Sequence, residues 1–196
     1  MLETVNAGGC VFALADAAGP TAIPPSIRPL PGAARFALRL REDDAAIVGE
    51  AAGFRLDQPL NSFAQQDERL SLRLGPNEWL LIGPEADAEA IAAEIAAALG
   101  GHFHSLVDIA HRNVAIEVKG PHAADIINAG CPLDLDSASF PAGSATRTLL
   151  GKAEIILIRL DDVPNYRVEC WRSFASYVLA FLTEAARDFE TVATSA

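Results

Sequence analysis

Several residue types and motifs are scarce in this 196-residue chain, and each scarcity argues against a class of protein. Only two of the 15 basic residues are lysines, no basic run occurs, and the net charge is −11. An acidic surface repels phosphate and anionic lipid, so nucleic-acid and membrane-surface binding are not expected. No apolar run reaches the about 20 residues of a membrane-spanning helix. The start of the chain lacks the basic region of a secretory signal.

Cysteines and catalytic motifs are also sparse. The three cysteines, Cys10, Cys131 and Cys170, are far apart and form no CxxC pair, which predicts reduced thiols in a cytoplasmic protein. The nucleotide-binding patterns GxGxxG and GxxxxGK[ST] are missing, as is the GxSxG nucleophile elbow. The residues alone therefore predict no catalytic set.

Proline, in contrast, is concentrated near the start of the chain. Five of the 12 prolines lie within GPTAIPPSIRPLPG, which begins at Gly19. Proline lacks a backbone donor and favours extended segments. Residues 1–33 are therefore predicted to be an extended arm, either mobile or laid on a partner, and residues 34–196 a single folded domain.

Hydrophobic periodicity in residues 34–196 predicts an α+β fold built from two similar halves, residues 34–101 and 102–190. Alternation in RFALRLR predicts a strand, the acids and glycine of EDDAAIVGEAAG a short helix, RLSLRLGPNEWLLIG a hairpin and PEADAEAIAAEIAAALGG a long helix. The second half runs in the same order: RNVAIEVKG, PHAADIINAG, ATRTLLGKAEIILIRL with YRVEC, and SFASYVLAFLTEAARDF. Ser173 is a candidate N-cap for the last helix.

A sequence echo supports this duplication. AGFRLDQPLNSF, from Ala52, and AGCPLDLDSASF, from Ala129, share Ala-Gly, Leu-Asp and Ser-Phe at one constant offset. We interpret the echo as the same helix exit and loop in both halves, with Gly53 and Gly130 capping the helices. Asp57 and Asp134 would then hold the loops by accepting hydrogen bonds from nearby backbone amides.

Two further groups of residues are candidates for function. His102, His104, Asp108 and His111 have residue types that can bind zinc, but no further spaced ligand set follows them. In ECWRSFASYV, Trp171 and Arg172 could bind a carboxylate or anchor a subunit contact, since tryptophan and arginine are common interface anchors. Trp79 is a third candidate anchor, although LGPNEWLL also fits a turn followed by a strand that buries this ring.

Three stretches together resemble a known family. They are LGPNEWLLIGP, the segment from LVDIAHRNVAIEVKG through GCPLDL to IILIR, and YRVECWRSFASYVLAFL. They are similar to the gamma subunit of heterotetrameric sarcosine oxidase, and the resemblance covers about residues 35–189.

The resemblance implies a fold and a role. The fold is that of the folate-binding domain of the aminomethyltransferase superfamily, with ferredoxin-like halves. The role is an accessory subunit without catalytic residues, in contact with an alpha-type subunit and assembled with beta and delta subunits. FAD, FMN, NAD and tetrahydrofolate are expected in the partner subunits, and no metal is expected in this chain. The isolated chain is a candidate for self-association, because obligate interfaces are apolar.

The resemblance also singles out one segment for a ligand. VDIAHR lies where folate-binding relatives carry Asp-x-Ser, so Asp108 matches the aspartate and Ala110 replaces the serine. Asp108 and Arg112 are therefore candidates for a degenerate folate pocket. Two alternative functions stay open at this point: a stand-alone folate-binding or one-carbon transfer protein, and a metal-binding domain that uses the histidine group.

Overall fold

The structure, a computed structural model, describes residues 23–24 and 26–193, with the backbone alone for 190–193. It divides into two compact units. Unit A comprises residues 33–111 with 143–146. Unit B comprises the remaining described residues, which are 23–24, 26–32, 112–142 and 147–193. Most of the predicted N-terminal arm lies outside the described residues, and the prediction of a single domain over residues 34–196 stays a prediction.

Strands and helices alternate along the described chain much as the periodicity predicts. The strands are β1 (Ile27–Pro29), β2 (Ala34–Leu40), β3 (Glu50–Ala51), β4 (Phe54–Arg55), β5 (Ser62–Gln66), β6 (Arg69–Gly75), β7 (Glu78–Gly83), β8 (His104–Asp108), β9 (Asn113–Lys119), β10 (Ala145–Leu150), β11 (Ala153–Arg159) and β12 (Asn165–Trp171). The helices are α1 (Glu42–Val48), α2 (Ala88–Ala98), α3 (Ala123–Asn128) and α4 (Ala175–Ala193). Short 3₁₀ turns, Glu85–Asp87 and Arg172–Phe174, precede α2 and α4.

The two five-stranded sheets of the described residues have equivalent strand orders. One sheet runs β5-β6-β7-β2-β8 and the other β10-β11-β12-β9-β1. In unit A, β2 precedes the short helix α1, lies between β7 and the outer strand β8, and pairs antiparallel with both. In unit B, β9 precedes the short helix α3 and pairs in the same way with β12 and the outer strand β1. Strands β7 and β12 each precede the long helix of their unit. The outer strand β8 comes last in its unit, whereas its counterpart β1 comes first. The predicted α+β duplication is confirmed, and β5 is a strand that the hairpin prediction missed.

Each sheet has one face packed against its long helix. In unit A, Leu38 of β2 and Ile91, Ile95 and Leu99 of the α2 segment are fully buried in one apolar cluster. The corresponding cluster of unit B combines alternate residues of β9 with the buried stripe of α4, namely Val114, Ile116, Val118, Val178, Leu179, Leu182 and Ala186. These stripes have the periods of two and 3.6 residues expected for a half-buried strand and an amphipathic helix.

One arginine of β2 is buried, although the alternating pattern predicts that it is exposed. The period of two predicts Arg35 on the exposed side, yet it is only 2% exposed. Its Nη1 donates a hydrogen bond to the carbonyl oxygen of Ala33 at 3.2 Å. The side chain is buried because its polar end finds partners inside the protein.

Two predicted helix boundaries differ from the structure. Helix α1 ends at Gly49, whose φ is 67° and whose N–H donates to the carbonyl of Ala45, so Gly53 is not its cap. Gly53 has a φ of 69° and follows Ala52, with a φ of 52°, in the tight turn between β3 and β4. Two successive residues with positive φ are typical of a hairpin turn of this length. Ser173 lies inside the 3₁₀ turn before α4 rather than at an N-cap.

Gly130 follows α3 as predicted, but its importance is steric. It is not among the residues with positive φ. A Cβ at this position would lie 2.5 Å from Cζ of Phe181 and 3.0 Å from the backbone nitrogen of Gly151. The glycine therefore lets the exit of α3 pack directly against α4.

The two echoed loops share a buried leucine but hold their aspartates differently. Leu56 is fully buried, and its counterpart Leu133 is partly buried against the core of unit B. Asp134 accepts hydrogen bonds from the backbone N–H of Asp136 at 3.0 Å and the hydroxyl of Ser139 at 2.8 Å, as the loop interpretation predicts. Asp57 instead accepts a hydrogen bond from Nε of Arg55 at 2.6 Å.

Within the part of the chain that the structure describes, no helix is both long and apolar enough to cross a membrane.

Replacing Gly130 by alanine tests the contact between α3 and α4. We expect Gly130→Ala to lower the free energy of unfolding by about 1–3 kcal/mol, the usual cost of overpacking, measured by urea unfolding. Gly101→Ala is the matched control, since a Cβ there has no atom within 4 Å. The double variant Gly130→Ala/Phe181→Leu should recover part of the loss because it makes room for the methyl group. An equal effect of the two alanine substitutions would contradict the steric argument.

Asp134→Asn tests whether the loop carboxylate stabilises unit B. The N–H of Asp136 and then the hydroxyl of Ser139 lower the pKa of Asp134 below its usual value. A lowered pKa in the folded state means that this stabilisation is present at neutral pH and is lost as the pH falls through the folded pKa. We therefore expect Asp134→Asn to lower the thermal midpoint at pH 7, with the difference from wild type vanishing in strong acid. Asp162→Asn, at an exposed loop position, controls for the loss of one negative charge. A difference that persists unchanged in acid would rule out the carboxylate as its cause.

Candidate functional site

An exposed cluster of aromatic and cationic side chains lies at one end of the sheet of unit B. Trp171 is the last residue of β12 and pairs with Asn113, the first residue of β9. This register brings the guanidinium carbon of Arg112 to 5.5 Å from the centroid of the Trp171 ring. The centroid of the Phe174 ring lies 6.4 Å from that of the Trp171 ring, at an interplanar angle of 46°. The tryptophan is therefore positioned by its own chain, yet 44% of it stays exposed.

Arg172 follows Trp171 directly in the chain. Its backbone N–H donates to the carbonyl oxygen of Arg112 at 2.7 Å, so the two arginines are fixed close together along the backbone. The side chain of Arg112 makes a further hydrogen bond from Nε to Oδ1 of Asn113 at 3.3 Å. Both arginines are exposed. The arrangement holds the Arg112 guanidinium against the Trp171 ring and places a second exposed arginine next to Trp171 in the chain.

Asp108 and Arg112, the candidates for a folate pocket, belong to different units. Asp108 ends β8, and its carboxylate accepts a hydrogen bond from the N–H of Ala110 at 2.8 Å. This contact to the amide two residues ahead fixes the turn after the strand, which is a common local role of aspartate. Arg112 is held in the aromatic stack of unit B. Their role in ligand binding stays a prediction.

The histidine group is held by separate contacts. Nδ1 of His102 lies 3.0 Å from Oδ1 of Asp44 on α1, and Nδ1 of His104 lies 2.9 Å from the carbonyl oxygen of His102. Arg41 also binds Asp44, and these two partners, Arg41 first, lower the pKa of the Asp44 carboxyl. Among the described side chains, those of residues 23–24 and 26–189, no group of three or more His, Cys, Asp or Glu is placed to hold a metal ion.

Trp79, the third candidate anchor, lies in the core of unit A with none of its surface exposed. The guanidinium of Arg73 stacks over its ring at 5.4 Å, and Arg73 also donates to the backbone carbonyl of Gln58 at 3.0 Å. A fully buried ring cannot contact a partner surface, so the core interpretation of LGPNEWLL applies. Within the described residues, Nε1 of Trp79, Nε of Arg73 and Oε1 of Gln58 have no hydrogen-bond partner.

Unit A also contains an open cleft of about 610 Å³. It is lined by Val48, Gly49, Glu50, Arg55, Asp57, Ala64, Gln65 and Gln66. Arg55 and Asp57 pair with each other at 2.6 Å, so their charges are mutually compensated. The described lining contains no hydroxyl, thiol or imidazole that could act as a nucleophile or as a histidine base.

Sequence reasoning identified part of the exposed cluster and missed the rest. Trp171 and Arg172 are adjacent in the sequence and were recognised together. Arg112 is 59 positions before Trp171 in the sequence and joins it only through the pairing of β9 with β12. The sequence names Arg112 only as a candidate for the folate pocket and as the first residue of the predicted strand RNVAIEVKG.

Comparisons with known proteins assign the chain to a family. The family model described as sarcosine oxidase, gamma subunit family matches residues 41–188. Sarcosine oxidase subunit gamma of Corynebacterium sp. strain P-1 is 31% identical over 164 residues, which cover 83% of this chain and 75% of that protein.

Two solved structures share the fold. A chain of the heterotetrameric sarcosine oxidase of Corynebacterium sp. U-96, solved in complex with pyrrole 2-carboxylate, matches with a TM-score of 0.76 at 22% identity, over 93% of this chain and 94% of that one. The glycine cleavage system aminomethyltransferase T of Bartonella henselae matches with a TM-score of 0.59 at 12% identity, over 76% of this chain and 43% of that one. The family resemblance and the aminomethyltransferase-like fold inferred from the sequence are confirmed. The family model spans most of the chain, and the chain belongs to the sarcosine oxidase gamma subunit family.

Proposed function

We propose that this chain is an accessory, non-catalytic gamma-type subunit of a heterotetrameric sarcosine oxidase. The observation that carries the proposal is the family match over residues 41–188. The fold supports it, since the match to a chain of a heterotetrameric sarcosine oxidase covers nearly the full length of both chains. In this role the chain supplies a rigid duplicated scaffold, and catalysis takes place in other subunits.

The reaction of the proposed complex follows from the family. Sarcosine, oxygen and tetrahydrofolate give glycine, hydrogen peroxide and methylene-tetrahydrofolate. Alpha-, beta- and delta-type subunits are the proposed partners, and FAD, FMN, NAD and tetrahydrofolate are proposed to bind to them. We place the complex in the cytoplasm, where the buried thiols of Cys131 and Cys170 would stay reduced.

Side-chain chemistry of this chain is compatible with a scaffold. Most of its arginines are engaged in structural ion pairs, such as the hydrogen bonds from Nε and Nη2 of Arg167 to Glu169 at 2.9 and 2.6 Å. A buried carboxylate with a guanidinium partner is charge-compensated and stabilises one conformation. His102 and His104, two members of the group behind the metal-binding alternative, are likewise used in local contacts.

Co-purification tests the proposed function. The tagged chain, expressed in its own host after growth on sarcosine, should bring down larger subunits that contain flavin. The recovered complex should produce hydrogen peroxide only when sarcosine is added, and the separated chain should produce none. A tagged chain of similar size and charge from the same host is the control for non-specific capture.

Three results would contradict this proposal. Recovery of the chain alone from induced cells would remove the accessory role. Binding of tetrahydrofolate to the isolated chain, measured by calorimetry, would favour the stand-alone folate-binding alternative. Stoichiometric metal in protein purified without a histidine tag would favour the metal-binding one.

A further inference from the structure

Most arginines of this chain are paired with carboxylates of the same chain. Eight of them form such ion pairs: Arg28, Arg39, Arg41, Arg55, Arg69, Arg73, Arg167 and Arg187. This is expected in a protein with a net charge of −11, because an arginine seldom lies far from an acidic side chain. An exposed arginine without such a partner is therefore unusual here.

Arg112 and Arg172 are such arginines. Within the described residues neither of them has a carboxylate within ion-pair distance, although both are exposed. A hydrogen bond holds the backbone nitrogen of Arg172 2.7 Å from the carbonyl oxygen of Arg112. Among the described residues, two exposed arginines without an ion-pair partner therefore have adjoining backbones at one end of a sheet.

Two aromatic rings accompany these charges. Trp171 is 44% exposed and Phe174 37% exposed, and the Arg112 guanidinium already lies on one face of the tryptophan. Exposed tryptophan and arginine that are held in place by their neighbours are the residue types that dominate binding at protein interfaces. Because these rings are prearranged, little side-chain freedom would be lost when a partner covers them.

We propose that Arg112, Trp171, Arg172 and Phe174 form a docking surface for a carboxylate-bearing segment of another subunit. We call it the cationic aromatic surface, and the inference rests on the proposed function. The two guanidinium groups would each donate a pair of hydrogen bonds to a partner Asp or Glu carboxylate, in the geometry that arginine favours. The rings would be covered by the same segment, excluding water from the ion pairs.

The exposure of all four side chains favours a protein segment over a small free carboxylate. A small ion bound to exposed arginines stays in water, where an ion pair contributes little. Small-molecule sites instead enclose most of their ligand in a concave, largely apolar pocket. Only a larger partner can remove both the charges and the rings from solvent at once.

Affinity of the variant chains for the remaining subunits of the complex tests this surface. We expect Trp171→Ala to weaken association at least about thirtyfold, as for a central interface anchor. Arg112→Glu/Arg172→Glu should slow association and reduce its dependence on salt, because the complementary charge is reversed. Each variant is titrated into the complex depleted of this chain, with binding followed by surface plasmon resonance at two salt concentrations.

Matched controls separate this surface from general effects of exposure and charge. Phe103→Ala removes an aromatic ring that is 88% exposed elsewhere, and Arg39→Glu reverses an exposed arginine outside the surface. Both should bind within about twofold of wild type, as surface substitutions usually do. Circular dichroism and thermal midpoints establish that each variant folds. If Trp171→Ala fails this test, Arg172→Gln, which leaves the backbone hydrogen bond in place, decides the question through its salt dependence.

The outcomes distinguish a failure of this inference from a failure of the proposed function. If wild type does not bind the other subunits, the proposed function fails and the docking surface with it. If wild type binds and the surface variants bind equally well, the docking surface is wrong while the accessory role stands. Unchanged assembly with quenching of Trp171 fluorescence by acetate would instead assign the surface to small carboxylates and overturn the proposal.

Discussion

Each unit depends on one strand pairing between distant parts of the sequence. In unit A, β2 pairs with β7, which joins residues 34–39 to residues 78–83. In unit B, β9 pairs with β12, which joins residues 113–119 to residues 165–171. These pairings bring the strand before the short helix against the strand before the long helix. Without them the long helix would have no continuous apolar face to cover.

The register of the second pairing also determines the candidate site. Because Asn113 lies opposite Trp171, the preceding residue, Arg112, reaches the indole ring. The turn that follows β12 brings the Phe174 ring beside it. A shift of one residue would turn every side chain of β12 to the opposite face. The apolar residues of β9 that fill the core therefore fix the geometry of the exposed cluster as well.

The sequence was sufficient for elements whose signal is local. Alternation in β2 and β9, the spacing of Ile91 and Ile95 in α2, and the Gly-Pro-Asn turn between β6 and β7 are all read from neighbouring residues. The echo of Leu-Asp with Ser-Phe correctly indicated duplication, because equivalent loops need similar residues at a common offset.

What the sequence could not supply depends on contacts between distant residues. Gly49 and Gly53 are both compatible with a helix end, and only the short β3–β4 hairpin assigns the second to a turn. The burial of Arg35 depends on partners inside the fold, and only the packing of the whole unit decides between the two sequence interpretations of Trp79. Arg112 and Trp171 are brought together by strand pairing, which no local pattern in either segment encodes.

Strand β1, the outer strand of the sheet in unit B, is synthesised long before the strand with which it pairs. Strand β8 emerges from the ribosome after β2, its partner, and can pair as soon as it appears. Strand β1 is synthesised before its partner, since Ile27 pairs with Val118. Its backbone groups stay unpaired until about 90 further residues have been synthesised, which takes roughly five to twenty seconds of translation. During that interval β1 is an unpaired strand, and assembly of the second unit begins only when translation has passed β9.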